Sequence, residues 1–553
     1  MNSCESWPQW ASEGNGGSRA ATLIAEMRTD PTGSFAPSCY ETGRVVTLAP
    51  SAPGHPERVR FLLAGQRADG TWGGPDGYAL VPTLSATEAM LTTLRLGTGD
   101  GIGSTRVARA AGAGLRALTR LLSGRPALPD TVAVELIVPA LVGDLNAQLA
   151  TLDRAPLPGL DSWRGHRLPV PGGANEDLLA RLRAAVRHGE PVPHKLWHSL
   201  EVVGEAARGA PSVEPVAGGG VGCSPAATAA WLDERALRTP GHPGLRYLRT
   251  AQAADGGMPV AAPLALFERS WVLSTLADAG IRFPVPADLV ASMHAEFGEH
   301  GAAGGHGLPP DVDDTATALY ALTLLHSPRS AECLWEYDTG DHFRCFPAER
   351  TPSTSANAHV LQAVGALLGT RAALPGRGRY EAAARRVTAW LREHQHPDGS
   401  WTDKWHASPY YATACCATAL AAYGGAAGAG AVHAAVDWVL GTQRADGSWG
   451  HWEGTSEETA YAIRTLLRTG AARPGGAVER AAALGGAYLL AQGDRTDFPA
   501  LWHDKDLYTP VRIVRTEVLA ALHLVSARPG VAALTAAHAA GASLRRPDRI
   551  GAR

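Results

Sequence analysis

Three carboxylates crowd one short stretch of this chain, Asp311-Val312-Asp313-Asp314, directly ahead of the apolar run TALYALTLL. One aspartate at such a place is an ordinary helix N-cap, because its side chain satisfies amides that the first turn leaves open. Three within four residues exceed what capping needs. Like charges so close cannot all ionise cheaply, so one member is expected to keep its proton well above the ordinary value of about 3.9. A carboxylic acid held protonated in an apolar cavity is a Brønsted acid waiting for a base. Metal binding is the competing reading of the same cluster. No DDxxD pattern or second acidic cluster at helical spacing accompanies it, so a trinuclear magnesium site for diphosphate ionisation lacks its ligands.

The cations are also selective. Of the 50 basic residues only Lys195, Lys404 and Lys505 are lysine; the rest are arginine, in a chain rich in alanine and glycine. A lysine that persists against such a bias suits a task needing a compact point charge rather than a planar fork, although chance survival explains any one of them equally well. Two of the three share a pattern. W-x-D-K-x-x-x-x-P runs from Trp401 to Pro409 and again from Trp502 to Pro510. Identical spacing predicts two equivalent loops on one face of a repeated helical scaffold.

A second repeat describes that scaffold. QRADGTW (Gln66 to Trp72), QAADGGM (Gln252 to Met258), QHPDGSW (Gln395 to Trp401) and QRADGSW (Gln443 to Trp449) each follow one amphipathic run and precede another. Asp-Gly marks a tight turn, so each unit reads as helix, turn, helix. The glutamine can bond backbone groups at helix ends, and the tryptophan can cover the turn by packing between neighbours. ATACCATALAAYGG, SEETAYAIRTLLRTG and RTEVLAALHLVSA carry apolar residues at helical spacing, while alternating β-branched runs are nearly absent. The expectation is an all-α fold whose helix pairs close into barrels or arrays, with Gly/Pro-rich breaks at 210–224 and 299–310.

At 553 residues the chain is too long for one ordinary core, and 45% hydrophobic against 19% charged residues excludes disorder. A net charge of −3 offers nothing to nucleic acid or anionic membrane. Seven scattered cysteines, Cys4 among them, never fall into CxxC spacing, which argues against a disulfide framework or structural zinc and for a reducing, cytoplasmic compartment. The N-terminal residues show no signal-peptide pattern, and no run of about eighteen apolar residues suggests a transmembrane segment. Neither charge nor motifs specify an oligomeric state.

DVDDTA resembles the DxDD motif of class II terpene cyclases, and the Q-x-x-D-G-x-W segments resemble their QW repeats. SCYETGRVVTLAP (Ser38 to Pro50), VELIVPALV (Val134 to Val142), LWHSLE (Leu196 to Glu201), SPAATA (Ser224 to Ala229) and PLALFERSW (Pro263 to Trp271) are similar to further family segments, in order, over roughly residues 35 to 515. The resemblance implies two α-helical barrels, γ and β, with the active site between them. It sets an N-terminal segment at 1–30 packing with β, an inserted γ domain at 31–260, and the β domain at 261–553. The class I α domain has no room, so the likeness is to the monofunctional bacterial form that makes copalyl- or drimenyl-type diphosphates.

On this likeness Asp313 protonates the terminal double bond of a linear prenyl diphosphate, farnesyl or geranylgeranyl, and Asp311 and Asp314 orient its proton. Asn357, in SANAHVL (Ser355 to Leu361), matches a position that hydrogen-bonds the acid; a helix cap or core amide is the plain alternative. Cyclisation gives fused rings and the diphosphate is retained. Carbocations need a dry cavity with π-faces and no nucleophile, and Trp271, Trp405, Tyr410, Trp502 and Tyr508 stand near the motifs. Lys404, Lys505 and Lys195 are the candidates for the diphosphate, with Arg181 and Arg350 as further cations.

Two segments depart from the plant pattern. The plant quenching base is a His–Asn pair; His198 matches the first member, whereas Val260 stands where the asparagine belongs. His198 therefore reads as the base, as acting through water, or as a core histidine. The acidic magnesium segment of the plant γ domain has no full counterpart, leaving Asp130 and Glu135, each of which also suits a helix cap. Magnesium is expected from the substrate's diphosphate rather than from a ligand set. The other readings are a squalene-type triterpene cyclase, a non-catalytic α-barrel binding module, and a prenyltransferase β-subunit whose zinc ligands are not found here.

Overall fold

Three of the four Q-x-x-D-G turns are built from the same bonds. Gln66, Gln395 and Gln443 donate to the carbonyl of their own turn glycine at 3.1, 2.8 and 3.0 Å. Each also donates to a neighbouring helix, at Ala110, Ala431 and Ala481 respectively. Trp72, Trp401 and Trp449 are fully buried, and their indole N–H groups reach the carbonyls of Leu62, Leu391 and Val439 at 2.7, 2.8 and 2.7 Å. Glycine is required at Gly70, Gly399 and Gly447. Each has φ near +90°, and a Cβ would lie 2.6, 2.4 or 2.8 Å from a carbonyl oxygen of the next helix. In the fourth copy Gln252 instead accepts from Arg58 at 2.6 Å, and Met258 pairs with Ser38 in a two-residue strand.

This computed structural model describes residues 15–97, 101–124, 127–347, 349–370, 374–470 and 473–544; Cys4 and the first fourteen residues of the N-terminal segment lie outside them. Among the described residues the helices close into two rings. In the larger, Ala265–Asp278, Val312–Leu324, Thr354–Gly369, Pro409–Tyr423, Ser456–Arg468 and Val511–Ser526 each pack on the next, and the last packs on the first. These inner helices are buried nearly all round, with ion pairs such as Arg464–Glu517 accounting for charged side chains among them. Arg377–Glu393, Gly425–Gly441, Ala477–Gln492 and Pro529–Leu544 pack outside them. The smaller ring runs Cys39–Leu48, Leu80–Leu96, Val134–Ala150, the 3₁₀ stretch His194–Ala207 and Pro225–Trp231, which returns to the first.

The two rings have separate apolar cores. Residues such as Trp72, Leu84 and Leu141 fill the smaller one. Trp401, Trp449 and Tyr461 fill the larger, which also takes Leu23, Ile24 and Met27 of the N-terminal helix Asn15–Thr29. The described chain thus passes from the larger unit into the smaller and is back in the larger by Val260. Strands are limited to four two-residue pieces among the described residues. No single helix there is long and apolar enough to cross a membrane, and one bent helix pair passes that test on length and composition.

The W-x-D-K loops lie side by side, His503 N–H donating to the Trp405 carbonyl at 2.8 Å and Ala407 N–H to that of Leu501 at 2.8 Å. They are not equivalent. Lys404 stays in the larger unit, whereas the tip of the second loop enters the smaller one, where Lys505 is completely buried against Glu201 at 3.0 Å, Ser224 at 2.8 Å and Glu41.

Candidate active site

A cavity of about 340 Å³ lies between the two units. The DxDD segment enters it at the start of Val312–Leu324. Asp311 is the N-cap of that helix, accepting from the Asp314 amide at 2.8 Å, so one of the three carboxylates has the ordinary capping role. Burial raises the Asp311 pKa to about 7, with the adjacent Asp313 adding to the rise against those amide bonds. Burial and the Asp311 charge push Asp314 well above the usual range, and its Oδ1 has no partner. The glycine-rich loop ahead of the motif makes this crowding possible: a Cβ at Gly304 would stand 2.6 Å from Asp314 Oδ2.

Asp313 has a partner of another kind. His359, on Thr354–Gly369, places Nδ1 2.6 Å from Asp313 Oδ1, and both residues are buried. Burial opposes charge on this imidazole, but the Asp313 carboxylate prevails and lifts its pKa to about 10. An imidazolium bonded to Oδ1 withdraws electron density from the carboxyl group. When Oδ2 gives up a proton, the carboxylate left behind is paired at once.

Aromatic rings continue from this acid. Trp271 meets His359 edge-on at 5.3 Å between ring centres, Phe267 lies 4.6 Å from Trp271, and Trp502 stands edge-on to Phe267 at 5.7 Å. Tyr508 and Trp405 complete this wall. The cations line the same cavity beside aromatic rings, Lys404 Nζ standing 5.3 Å from the Trp405 ring centre. Lys195 stands 5.3 Å from the Phe346 ring centre, and among the described residues it has no ion pair. Lys404 bonds Glu349 at 2.8 Å and the Thr351 carbonyl at 2.7 Å. Arg350 spans both Asp130 and Glu135. Trp405 lines the same space, and its indole N–H is buried without a partner.

His198 sits on the 3₁₀ stretch and also lines the cavity. Its Nδ1 lies 2.6 Å from the Gly222 carbonyl, and its Nε2 lies 2.9 and 3.2 Å from the two oxygens of Asp504. Burial works against charge on His198, yet the Asp504 carboxylate raises its pKa; the same pairing lowers that of Asp504 despite its burial.

Residues 351–494 match the squalene-hopene cyclase C-terminal domain family. Over 508 residues the chain is 47% identical to an ent-copalyl diphosphate synthase of Streptomyces sp. (strain KO-3988), covering 91% of this chain and 95% of that one. It is 43% identical to a copalyl diphosphate synthase of Streptomyces cyslabdanicus, covering 92% and 96%. The solved ent-copalyl diphosphate synthase from Streptomyces platensis matches with a TM-score of 0.88 at 46% identity, over 92% of this chain and 99% of that one. The chain belongs to the class II terpene cyclases.

In this cyclase the structure gathers Asp311, Asp313, Asp314, His198, Trp271, Trp405, Trp502, Tyr508, Lys195 and Lys404 around one cavity. The structure places the other expected residues differently. Asn357 does not bond the acid: its amide clamps the Phe343 N–H and carbonyl, each at 2.9 Å, and the Ser353 carbonyl. His359 takes the acid-facing place that sequence reasoning missed; two residues further along a helix is about 200° round it. Tyr410 faces away and packs on Trp438 at 4.6 Å. Lys505 is consumed by buried carboxylates of the smaller unit, and Arg181 is exposed outside the cavity. Asp130 and Glu135 do line the cavity, but both are engaged by Arg350, and no cluster of three or more acidic, histidine or cysteine ligands exists among the described residues.

Proposed function

We propose that this cyclase converts geranylgeranyl diphosphate to a bicyclic diphosphate, with the diphosphate retained. One observation carries the reading: a single cavity presents a histidine-paired carboxyl acid, an aromatic wall and a group of cations. The hydrocarbon chain folds along Trp271, Phe267, Trp502 and Tyr508, with its terminal double bond at Asp313. Asp313 gives its proton to that bond. The alkene electron pair forms the new C–H bond and leaves a cation, which the remaining double bonds capture in turn. The π-faces stabilise the charge and admit no nucleophile. Lys195, Lys404 and Arg350 hold the diphosphate, which keeps its C–O bond: among the described residues no group of three or more His, Cys, Asp or Glu side chains gathers metal ions that would ionise it.

Twenty carbons are favoured because a Mycobacterium tuberculosis relative, 29% identical over 84% of this chain, is named a type B diterpene cyclase. Magnesium, in this proposal, arrives on the diphosphate as part of the substrate, since Mg²⁺ commonly binds through phosphates and one or two carboxylates. The six described cysteines are free, which supports a reducing, cytoplasmic setting.

Squalene is the competing substrate, and it has no charge for the cation group to hold. Purified protein is offered geranylgeranyl diphosphate, farnesyl diphosphate or squalene with magnesium, and the phosphatase-treated products are separated by gas chromatography–mass spectrometry. A cyclic C20 alcohol is expected; cyclisation of squalene alone overturns the proposal.

A further inference from the structure

We infer that Asp504, rather than His198, is the base that removes the final proton from the cyclised cation, an inference that rests on the reaction proposed above. The Gly222 carbonyl can only accept, so the 2.6 Å contact requires a hydrogen on His198 Nδ1. Were Nε2 bare, its lone pair would face a carboxylate at 2.9 Å. Nε2 therefore also carries a hydrogen, and an imidazolium has no lone pair with which to accept a proton. The basic member of the pair is its carboxylate.

Asp504 is placed for the task. Its Oδ1 accepts from His198 and from the Lys505 amide at 2.7 Å. Its Oδ2 has only the longer 3.2 Å contact with His198, which leaves lone-pair capacity. Both side chains line the cavity. Asp504 lies at the turn between the short strands Trp502–His503 and Leu507–Tyr508, its own amide bonded to the Asp506 carbonyl at 3.0 Å. One hairpin thus supplies two aromatic faces for the cation and the carboxylate that ends its life, and the next residue, the buried Lys505, pins it to the smaller unit. Val260 is fully buried and apolar, so that position contributes no polar partner.

The step balances. A C–H bond beside the cationic carbon breaks, its electron pair becomes the product's double bond, and the proton passes to Asp504 Oδ2. Asp313 lost one proton at the start, so protein protonation is unchanged overall and the product is an isomer of the substrate. His198 acts as a positioning residue that holds Asp504 ionised and aimed.

The test compares Asp504→Asn with His198→Gln on geranylgeranyl diphosphate, reading substrate loss and product profile separately. Asp504→Asn is expected to consume substrate within about tenfold of wild type, because initiation is untouched. The wild-type product gives way to double-bond isomers and water-captured alcohols. His198→Gln, which still donates to Asp504, keeps the wild-type product as the main one. An unchanged profile in Asp504→Asn, or a profile that changes only in His198→Gln, overturns the inference. If Asp504→Asn does not fold, Asp504→Glu against Asp504→Gln makes the same comparison: the carboxylate variant retains the wild-type product and the amide loses it, and equal profiles overturn the inference. Failure of the wild type to cyclise any prenyl diphosphate refutes the proposed function instead.

Discussion

Glutamine at position 359 keeps an N–H within reach of Asp313 but removes the charge. In the folded protein His359 rises from 6.5 to about 10, because the Asp313 carboxylate more than offsets the cost of burial. That rise is a preference of about 5 kcal/mol for the cation beside the carboxylate. The coupling is mutual, so the same interaction stabilises Asp313 as it gives up its proton. A neutral hydrogen bond recovers part of this, and the carboxylate charge is only partly developed at the transition state. His359→Gln is therefore expected to lose about 3 kcal/mol of transition-state stabilisation, or about a hundredfold in kcat. KM should change little, since the cations at the diphosphate end are untouched. Single-turnover consumption of geranylgeranyl diphosphate measures the loss; a folded variant with kcat within about threefold of wild type refutes the pairing argument. The pairing also has a pH signature. The folded pKa lies above the unfolded one, so the stabilisation is complete below about 6.5 and is lost as pH rises through about 10. The melting-temperature advantage of wild type over His359→Gln should shrink across that window.

Lys505→Met leaves Glu41 and Glu201 buried without their counter-charge, at a cost of about 3–5 kcal/mol. A thermal melt at neutral pH should show a lowered Tm, and an unchanged melt contradicts the buried pairing. Asn357→Ala removes the clamp on the Phe343 backbone and should cost about 1–3 kcal/mol in denaturant unfolding. Its turnover should fall far less than that of His359→Gln; an equal fall at unchanged stability would return Asn357 to the acid.

The turns, the helical scaffold and the acid were legible because each is written in adjacent residues: Q-x-x-D-G-x-W specifies its own bonds, and DVDD lies on one helix start. What was not legible depends on direction or on distant partners. Asn357 and His359 share one segment, yet they point to opposite sides of their helix, and the family pattern drew attention to the wrong one. Tyr410 and Tyr411 are neighbours, but it is Tyr411 that lies 4.8 Å from Trp502. The spacing of the W-x-D-K repeat does not encode what each loop tip meets, so Lys404 reaches the cavity and Lys505 a buried carboxylate pair. His198 could be singled out, but its partner Asp504 lies 306 residues away, inside a repeat that looked like scaffolding.

The central claim is that an exchangeable proton on Asp313 starts the reaction. Incubating wild type and Asp313→Asn with geranylgeranyl diphosphate in D₂O tests it directly. The account predicts one deuterium in the wild-type product, on the carbon of the former terminal double bond, and no cyclic product from the variant. An unlabelled cyclic product, or undiminished cyclisation by Asp313→Asn, would contradict it.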